Sequence, residues 1–155
     1  MRIGHGYDLH RLEAGTAKPL ILGGVRIPSD RGPVAHSDGD AVMHALTDAL
    51  LGALGEPDIG QLFPDTAPEN AGKDSAFFLA EAVRRVHARS LALVNADITV
   101  ILERPKIGPH KAAIMANLSK LLGGAPVNLK GKTHEGVDAV GRGEAVEVHA
   151  VVLLA

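Results

Sequence analysis

The chain contains no cysteine and no tryptophan, and only one tyrosine and three phenylalanines among its 155 residues. Without thiols, disulfides and thiolate metal sites are excluded. Aromatic residues make up 3% of the chain, which supplies no row of stacking platforms for nucleobases. Excess positive charge is also missing. A formal net charge of -2 argues against a nucleic-acid binder held by phosphate contacts, so affinity for an anion must come from a local site. No apolar run approaches the ~20 residues of a membrane span. The first residues, Met1 to Gly6, lack the apolar core of a signal peptide, and a cytoplasmic location is expected. What remains is ordinary for a globular chain, 46% apolar and 22% charged, and its length fits a single domain over 1–155.

Hydrophobic spacing predicts the elements. Met1 to about His10 alternates as a strand, and Leu20–Leu22 and Val25–Ile27 flank Gly23-Gly24 as a tight hairpin. Pro28 to Ala35 reads as a loop. Ser37 is expected to cap a helix to about Ala53, with Asp40 at its third position and Gly55 as its stop. The stretch 56–73, rich in proline and glycine, has no clean period and reads as a long loop. A second helix is expected from Asp74 or Ser75 to about Arg89. In the strand Leu91–Leu102, Val94, Ala96, Ile98 and Val100 should face inward. After a proline-stiffened loop come a helix over Lys111–Leu122, ended by Gly123-Gly124, and strands over Val127–Thr133 and Glu144–Leu154. Helices interleaved with strands predict an α/β two-layer sandwich, a mixed sheet covered by helices on one face.

Two segments carry candidate chemistry. In Gly4-His5-Gly6-Tyr7-Asp8-Leu9-His10, alternation puts Asp8 and His10 on one face of a strand. In His36-Ser37-Asp38-Gly39-Asp40-Ala41-Val42-Met43-His44, the last histidine enters a helix. One carboxylate and two imidazoles make the ligand set of a catalytic zinc, with the fourth position open. Asp48, one helical turn beyond His44, can orient that imidazole as an outer carboxylate. Further along, Lys130-Gly131-Lys132-Thr133-His134-Glu135 combines lysines, a hydroxyl and a carboxylate suited to phosphate and a hard cation. Each piece also has a plain reading. An Asp-x-His pair can be a surface pair, first-turn carboxylates answer the helix dipole, and charged loops are solvated.

Taken in order, these segments, with Gly23-Gly24-Val25-Arg26-Ile27-Pro28, Asp58-Ile59-Gly60, Phe63-Pro64-Asp65-Thr66, Pro105-Lys106 and Gly141-Arg142-Gly143-Glu144, closely resemble the 2-C-methyl-D-erythritol 2,4-cyclodiphosphate synthase family of the non-mevalonate isoprenoid pathway. The resemblance covers essentially the whole chain. It implies a homotrimer with active sites between subunits, and one zinc per subunit on Asp8, His10 and His44. It further implies Mg²⁺ or Mn²⁺ at Glu135, with His36 and Thr133 as the catalytic pair steadying the reacting phosphates. By the same resemblance Asp58, Ile59 and Gly60 hold the ribose. The loop Leu102, Glu103, Arg104, Pro105, Lys106, Ile107 and Gly108 encloses the cytosine. Ser37 with Phe63, Pro64, Asp65, Thr66 and Ala67 lines the methylerythritol side. Leu9, Lys132, His134, Ala139 and Arg142 complete the substrate contacts. The chain departs from the family's pattern in three places. Val137-Asp138-Ala139 stands where Leu-Gly-Phe is common, which removes an aromatic wall at 139. Lys132 replaces a threonine. His149 replaces an acidic residue near the trimer axis, where a cavity can hold a prenyl diphosphate.

The reaction implied is intramolecular: a phosphate attacks the β-phosphorus of a cytidine diphosphate ester, CMP leaves, and a cyclic diphosphate closes. A metal-dependent phosphoesterase and a zinc-stabilised structural protein remain alternatives, to be separated by the product.

Overall fold

The computed structural model describes residues 1–64, 66, 67 and 72–155. Among these the strands β1 (Arg2–Ala14), β4 (Arg31–Pro33), β5 (Leu93–Ile101), β6 (Val127–Lys132) and β7 (Ala145–Leu154) form one sheet in the order β4-β1-β7-β5-β6. All neighbours are antiparallel except β5 and β6, so the sheet is mixed as predicted. The β2 (Leu20–Leu22) and β3 (Val25–Ile27) hairpin turns at Gly23-Gly24, also as predicted. The longer helices are α1 (Ala41–Leu54), α3 (Ser75–Ala88) and α4 (Lys111–Leu121); the single turn α2 (Ile59–Leu62) lies between α1 and α3, and the single turn α5 (Asp138–Gly141) between β6 and β7. No helix among the described residues is long and apolar enough to cross a membrane.

The core lies between the helices and one face of the sheet. On β7, Val146, Val148, Ala150, Val152 and Leu154 are buried, as are Ala96, Ile98 and Val100 on β5. They meet the apolar stripe of α1, including Val42, Ala45, Leu46, Ala49 and Leu50. The other face keeps Ile3, Tyr7 and Val151 exposed.

Gly4 and Gly6 set the distance between β1 and α1. A Cβ on Gly4 would lie 1.9 Å from the Ala49 carbonyl oxygen, and one on Gly6 1.9 Å from that of Ala45. Only residues without a side chain let the helix backbone come so close.

Several expectations are corrected. The helix after Ser37 starts later, because Asp40 is its cap: the fully buried carboxylate accepts from Val42 and Met43 N–H, and from Gly23 and Gly24 N–H in the hairpin. Gly55, at φ 71°, does end it. The expected loop 28–35 contains β4, which pairs with Leu12–Ala14 and extends β1 beyond His10. In β5 a register shift between Leu93 and Asn95 turns Val94 outward, where it is 44% exposed. The predicted loop 56–73 contains the turn α2, capped by Asp58, and part of it lies outside the described residues.

Candidate active site

Alternation along β1 carries Gly4, Gly6, Asp8 and His10 on the helix-facing side. The two glycines admit α1, and the next two inward positions then meet His44 in its first turns. Asp8 Oδ2 lies 3.1 Å from His44 Nδ1 and 3.1 Å from His10 Nε2, and the two imidazole nitrogens are 3.1 Å apart. These are three electron-rich atoms at the corners of a triangle. Even if His10 Nε2 carries a proton, that one proton cannot bridge three edges, whereas a cation at the apex serves all three. Four-coordinate zinc at 2.0–2.1 Å would space its ligand atoms about 3.3 Å apart, so the donor set fits zinc in kind and size.

The electrostatics agree. Burial works against the Asp8 carboxylate, yet hydrogen bonds and charge from His10 and His44 hold its carboxyl well below the usual carboxylate range. Burial pulls the His44 imidazole down, but Asp8, with Asp40 and Asp38 behind it, raises it above its ordinary value. The site therefore favours positive charge.

The triad opens into a cavity of ≈ 280 Å³ that is also lined by His36, Ser37, Ile59, Gly60, Phe63 and Phe78. The Lys18 ammonium donates to the Ala35 and Ser37 carbonyls and pins this wall. Asp58 uses its carboxylate on Gln61 N–H, 2.9 Å, and on the Gln61 amide, 2.7 Å. Ala67 N–H donates to the Pro64 carbonyl at 3.0 Å, beside Thr66; Asp65 lies outside the described residues. Leu9, between Asp8 and His10, projects to the opposite face, as the strand period requires. There it shares a cavity with Arg11, Arg31, Ala139 and Glu144.

The contact expected between Asp48 and His44 is replaced by another. Asp48 accepts from Ile59 N–H at 2.8 Å and anchors α2. The outer nitrogen of His44, Nε2, instead faces Ser75 Oγ at 2.8 Å and Ser37 Oγ at 3.3 Å. Ser75 carries no sequence signal beyond its place at a helix start. Lys18 and Phe78 were likewise illegible, since each acts through a tertiary contact.

The remaining predicted residues gather elsewhere. Leu102, Lys106, Ile107, Gly108, Lys132, Thr133 and Glu135 line a second cavity of ≈ 480 Å³, to which Lys111 adds a third ammonium. Thr133 Oγ1 donates to Glu135 Oε1 at 2.7 Å. Glu135 has φ 52°, a left-handed conformation that costs a non-glycine residue about 1–2 kcal/mol and is kept only where the surroundings enforce it. His134 Nδ1 pairs with Asp138 Oδ2 at 2.8 Å, and Arg142 pairs with Glu144. Glu103, Arg104 and Pro105 border a neighbouring cavity with Pro28 and Ser29.

The two cavities stand at one end of the sheet but not together. His10 pairs with Val146, its neighbour Glu147 with Ile101, and Ile101 with Lys132. Three strand steps separate β1 from β6, about 14 Å.

Comparison with known proteins settles the family. The YgbB family model matches residues 1–155. The chain belongs to the YgbB family, the 2-C-methyl-D-erythritol 2,4-cyclodiphosphate synthases. It is 57% identical over 155 residues to the chloroplastic 2-C-methyl-D-erythritol 2,4-cyclodiphosphate synthase of Catharanthus roseus, covering 99% of this chain and 65% of that one. It thus spans slightly less than two thirds of that plant relative. The Chromobacterium violaceum synthase is 55% identical over 99% of this chain and 98% of its own. A solved 2C-methyl-D-erythritol-2,4-cyclodiphosphate synthase in a CDP-bound form superposes with a TM-score of 0.90 at 52% identity, covering 99% of this chain and all of that one.

Proposed function

We propose that the chain closes the cyclic diphosphate of the non-mevalonate isoprenoid pathway. It takes 4-diphosphocytidyl-2-C-methyl-D-erythritol 2-phosphate and releases 2-C-methyl-D-erythritol 2,4-cyclodiphosphate and CMP. The observation that carries the proposal is the Asp8, His10 and His44 triangle, open to a cavity, in a chain of this family.

Attack is intramolecular, so holding both ends of the substrate is most of the task; well-oriented groups gain about 7–11 kcal/mol. The nucleophile is already a phosphate anion and needs no strong base. Asp8, His10 and His44 would hold zinc, and Glu135 would hold Mg²⁺ or Mn²⁺; bound there, the cations neutralise phosphate charge. His36 and Thr133 would donate to phosphate oxygens. Lys106, Lys111 and Lys132 would draw the anion in. The 102–108 loop would take the cytidine end; that the substrate carries a cytidine diphosphate is supported by the CDP-bound relative. Asp58 and Gly60 would take ribose hydroxyls, and Ser37 and Phe63 the methylerythritol side.

Catalytic cations must lie within a few ångströms of one diphosphate. Two cavities built on strands three steps apart, about 14 Å between β1 and β6, cannot both grip it from one chain. A homotrimer solves this by placing the Glu135 cavity of one subunit against the triad of the next. The bare sheet face around Ile3, Tyr7, Val151 and His149 would line the axis, where a prenyl diphosphate could lodge. We place the reaction in the cytoplasm.

The test is product analysis with the cytidine substrate and Zn²⁺ plus Mg²⁺. CMP and the cyclic diphosphate in equal amounts are expected. Inorganic phosphate would indicate a phosphoesterase, and zinc binding without any product a structural site.

A further inference from the structure

We infer that Ser75 and Asp38 are positioning residues that lock His44 in the tautomer whose Nδ1 lone pair faces Asp8 and His10. The inference rests on the metal reading of that triangle.

Ser75 is the first residue of α3 and is fully buried, which is unusual for a hydroxyl without a task. Its Oγ touches both Asp38 Oδ1 and His44 Nε2, the latter at 2.8 Å. Its backbone N–H donates to Asp38 Oδ2 at 3.0 Å, so both carboxylate oxygens of Asp38 are turned on Ser75. A hydroxyl has one proton, and an ionised carboxylate can only accept. The proton of Ser75 therefore goes to Asp38. The hydroxyl oxygen that remains presents lone pairs to His44 Nε2. A bare ring nitrogen there would set lone pair against lone pair at 2.8 Å, so Nε2 must carry hydrogen and donate. Neutral His44 then has its lone pair on Nδ1, the atom 3.1 Å from both Asp8 Oδ2 and His10 Nε2.

The chain of donors runs from His44 Nε2–H to Ser75 Oγ, and from Ser75 O–H to Asp38. It does for this histidine what an outer carboxylate does directly for other liganding histidines. The contact also spans elements. Asp38 lies in the loop before α1, His44 in α1 and Ser75 in α3, so α3 reaches the site through one hydroxyl. Ser37 Oγ, at 3.3 Å from Nε2, already accepts from Gly39 N–H and is the weaker partner.

Ser75→Ala and Asp38→Asn test this in the full-length protein. Zinc affinity is read by competition with a chromophoric chelator. The His44 tautomer is read in metal-free protein from ¹⁵N shifts of the ring nitrogens, above the imidazole titration range. Ser75→Ala is expected to weaken zinc binding 10–100-fold and to give a mixture of tautomers, where the wild type shows Nε2–H alone. Asp38→Asn should do the same, because its single amide oxygen cannot accept from both the Ser75 hydroxyl and the Ser75 N–H, and its NH2 group can donate to Ser75 Oγ and release the hydroxyl proton toward His44. Ser75→Thr keeps the hydroxyl and should keep the tautomer. A Ser75→Ala protein that melts lower yet binds zinc like the wild type, with His44 still Nε2–H, would overturn the inference and leave Ser75 a packing residue. A wild-type protein that binds no zinc would instead overturn the metal reading itself.

Discussion

Replacing Gly6 by alanine should dismantle the site without touching a functional group. The new Cβ would lie 1.9 Å from Ala45 O and 2.6 Å from Ala49 N, both backbone atoms of α1. Carbon and oxygen settle at about 3.3 Å or more, so α1 must retreat by roughly 1.4 Å. Overpacking costs about 1–3 kcal/mol where side chains can give way. Here backbone meets backbone, and a gap of ~1 Å forfeits up to about half of each dispersion contact along the helix. We expect a loss on the order of 4 kcal/mol, a large share of a typical 5–15 kcal/mol stability, and a Tm lower by about 8–16 °C. The same retreat would draw His44 Nδ1 away from Asp8 and His10 by far more than the ±0.2 Å that metal–ligand distances tolerate, so zinc affinity should collapse too. Calorimetry and a zinc titration measure the two effects. Gly52→Ala is the control: it is in the same helix, its Cβ would meet only His5 O at 3.7 Å, and it should stabilise by about 0.5–1 kcal/mol. A Gly6→Ala protein melting within 2 °C of wild type with normal zinc binding would refute the reasoning.

Other expectations follow from single residues. Asp40→Ala strips the acceptor from Gly23, Gly24, Val42 and Met43 N–H at a fully buried point, and should cost about 3–5 kcal/mol in chemical denaturation with little change in the slope m. Glu81 is held down to about 2 first by its hydrogen bond to Arg84 and then, against burial, by Arg85, so its stabilisation is full above 4.5 and lost as pH falls toward 2. Arg84 is largely exposed and Glu81 and Arg85 still reach solvent, which screens the pairs, so Glu81→Gln should cost under about 1 kcal/mol at pH 7, and its melting curve should converge on wild type as the pH drops through that window. Glu135→Gln and His44→Ala should each lose at least about tenfold in turnover. Refolded together they should regain activity at about a quarter of the interfaces, those pairing an intact triad with an intact Glu135; no recovery in mixed trimers would rule out the shared site.

The sequence made the triad legible because its logic is local. Alternation carries Gly4, Gly6, Asp8 and His10 on one face, and the helical period of Ala41 to Ala53 announces the partner that the glycines admit. Positions fixed by distant contacts were read wrongly or not at all. Ser37 and Asp40 are both acceptable caps; Asp40 prevails because its carboxylate also reaches the hairpin at Gly23-Gly24, a contact that spacing cannot reveal. Arg31-Gly32-Pro33 has no strand formers and is a strand only because Leu12–Ala14 pairs with it. Asp48 was assigned to His44 from helical spacing. A better-placed hydroxyl took that role, and Ile59 N–H took the carboxylate.

The second cavity shows where reading along the chain reaches its limit. Thr133 and Glu135 lie on a segment suited to phosphate and a hard cation, and Asp8 on one suited to zinc, but spacing along the chain does not tell how far apart the two segments fold. Sheet order interposes β7 and β5 between them. The charges suggest why the separation is useful. A chain of net charge -2 collects Lys106, Lys111 and Lys132 in one cavity, while Asp8, half-buried and strongly acidic, stands in the other. Within one chain the ammonium groups of the second cavity lie too far off to cap the triangle of donors, so its apex is left for a cation. In the proposed trimer the lysines would meet the triad only across a subunit boundary, with the phosphates of the substrate between them.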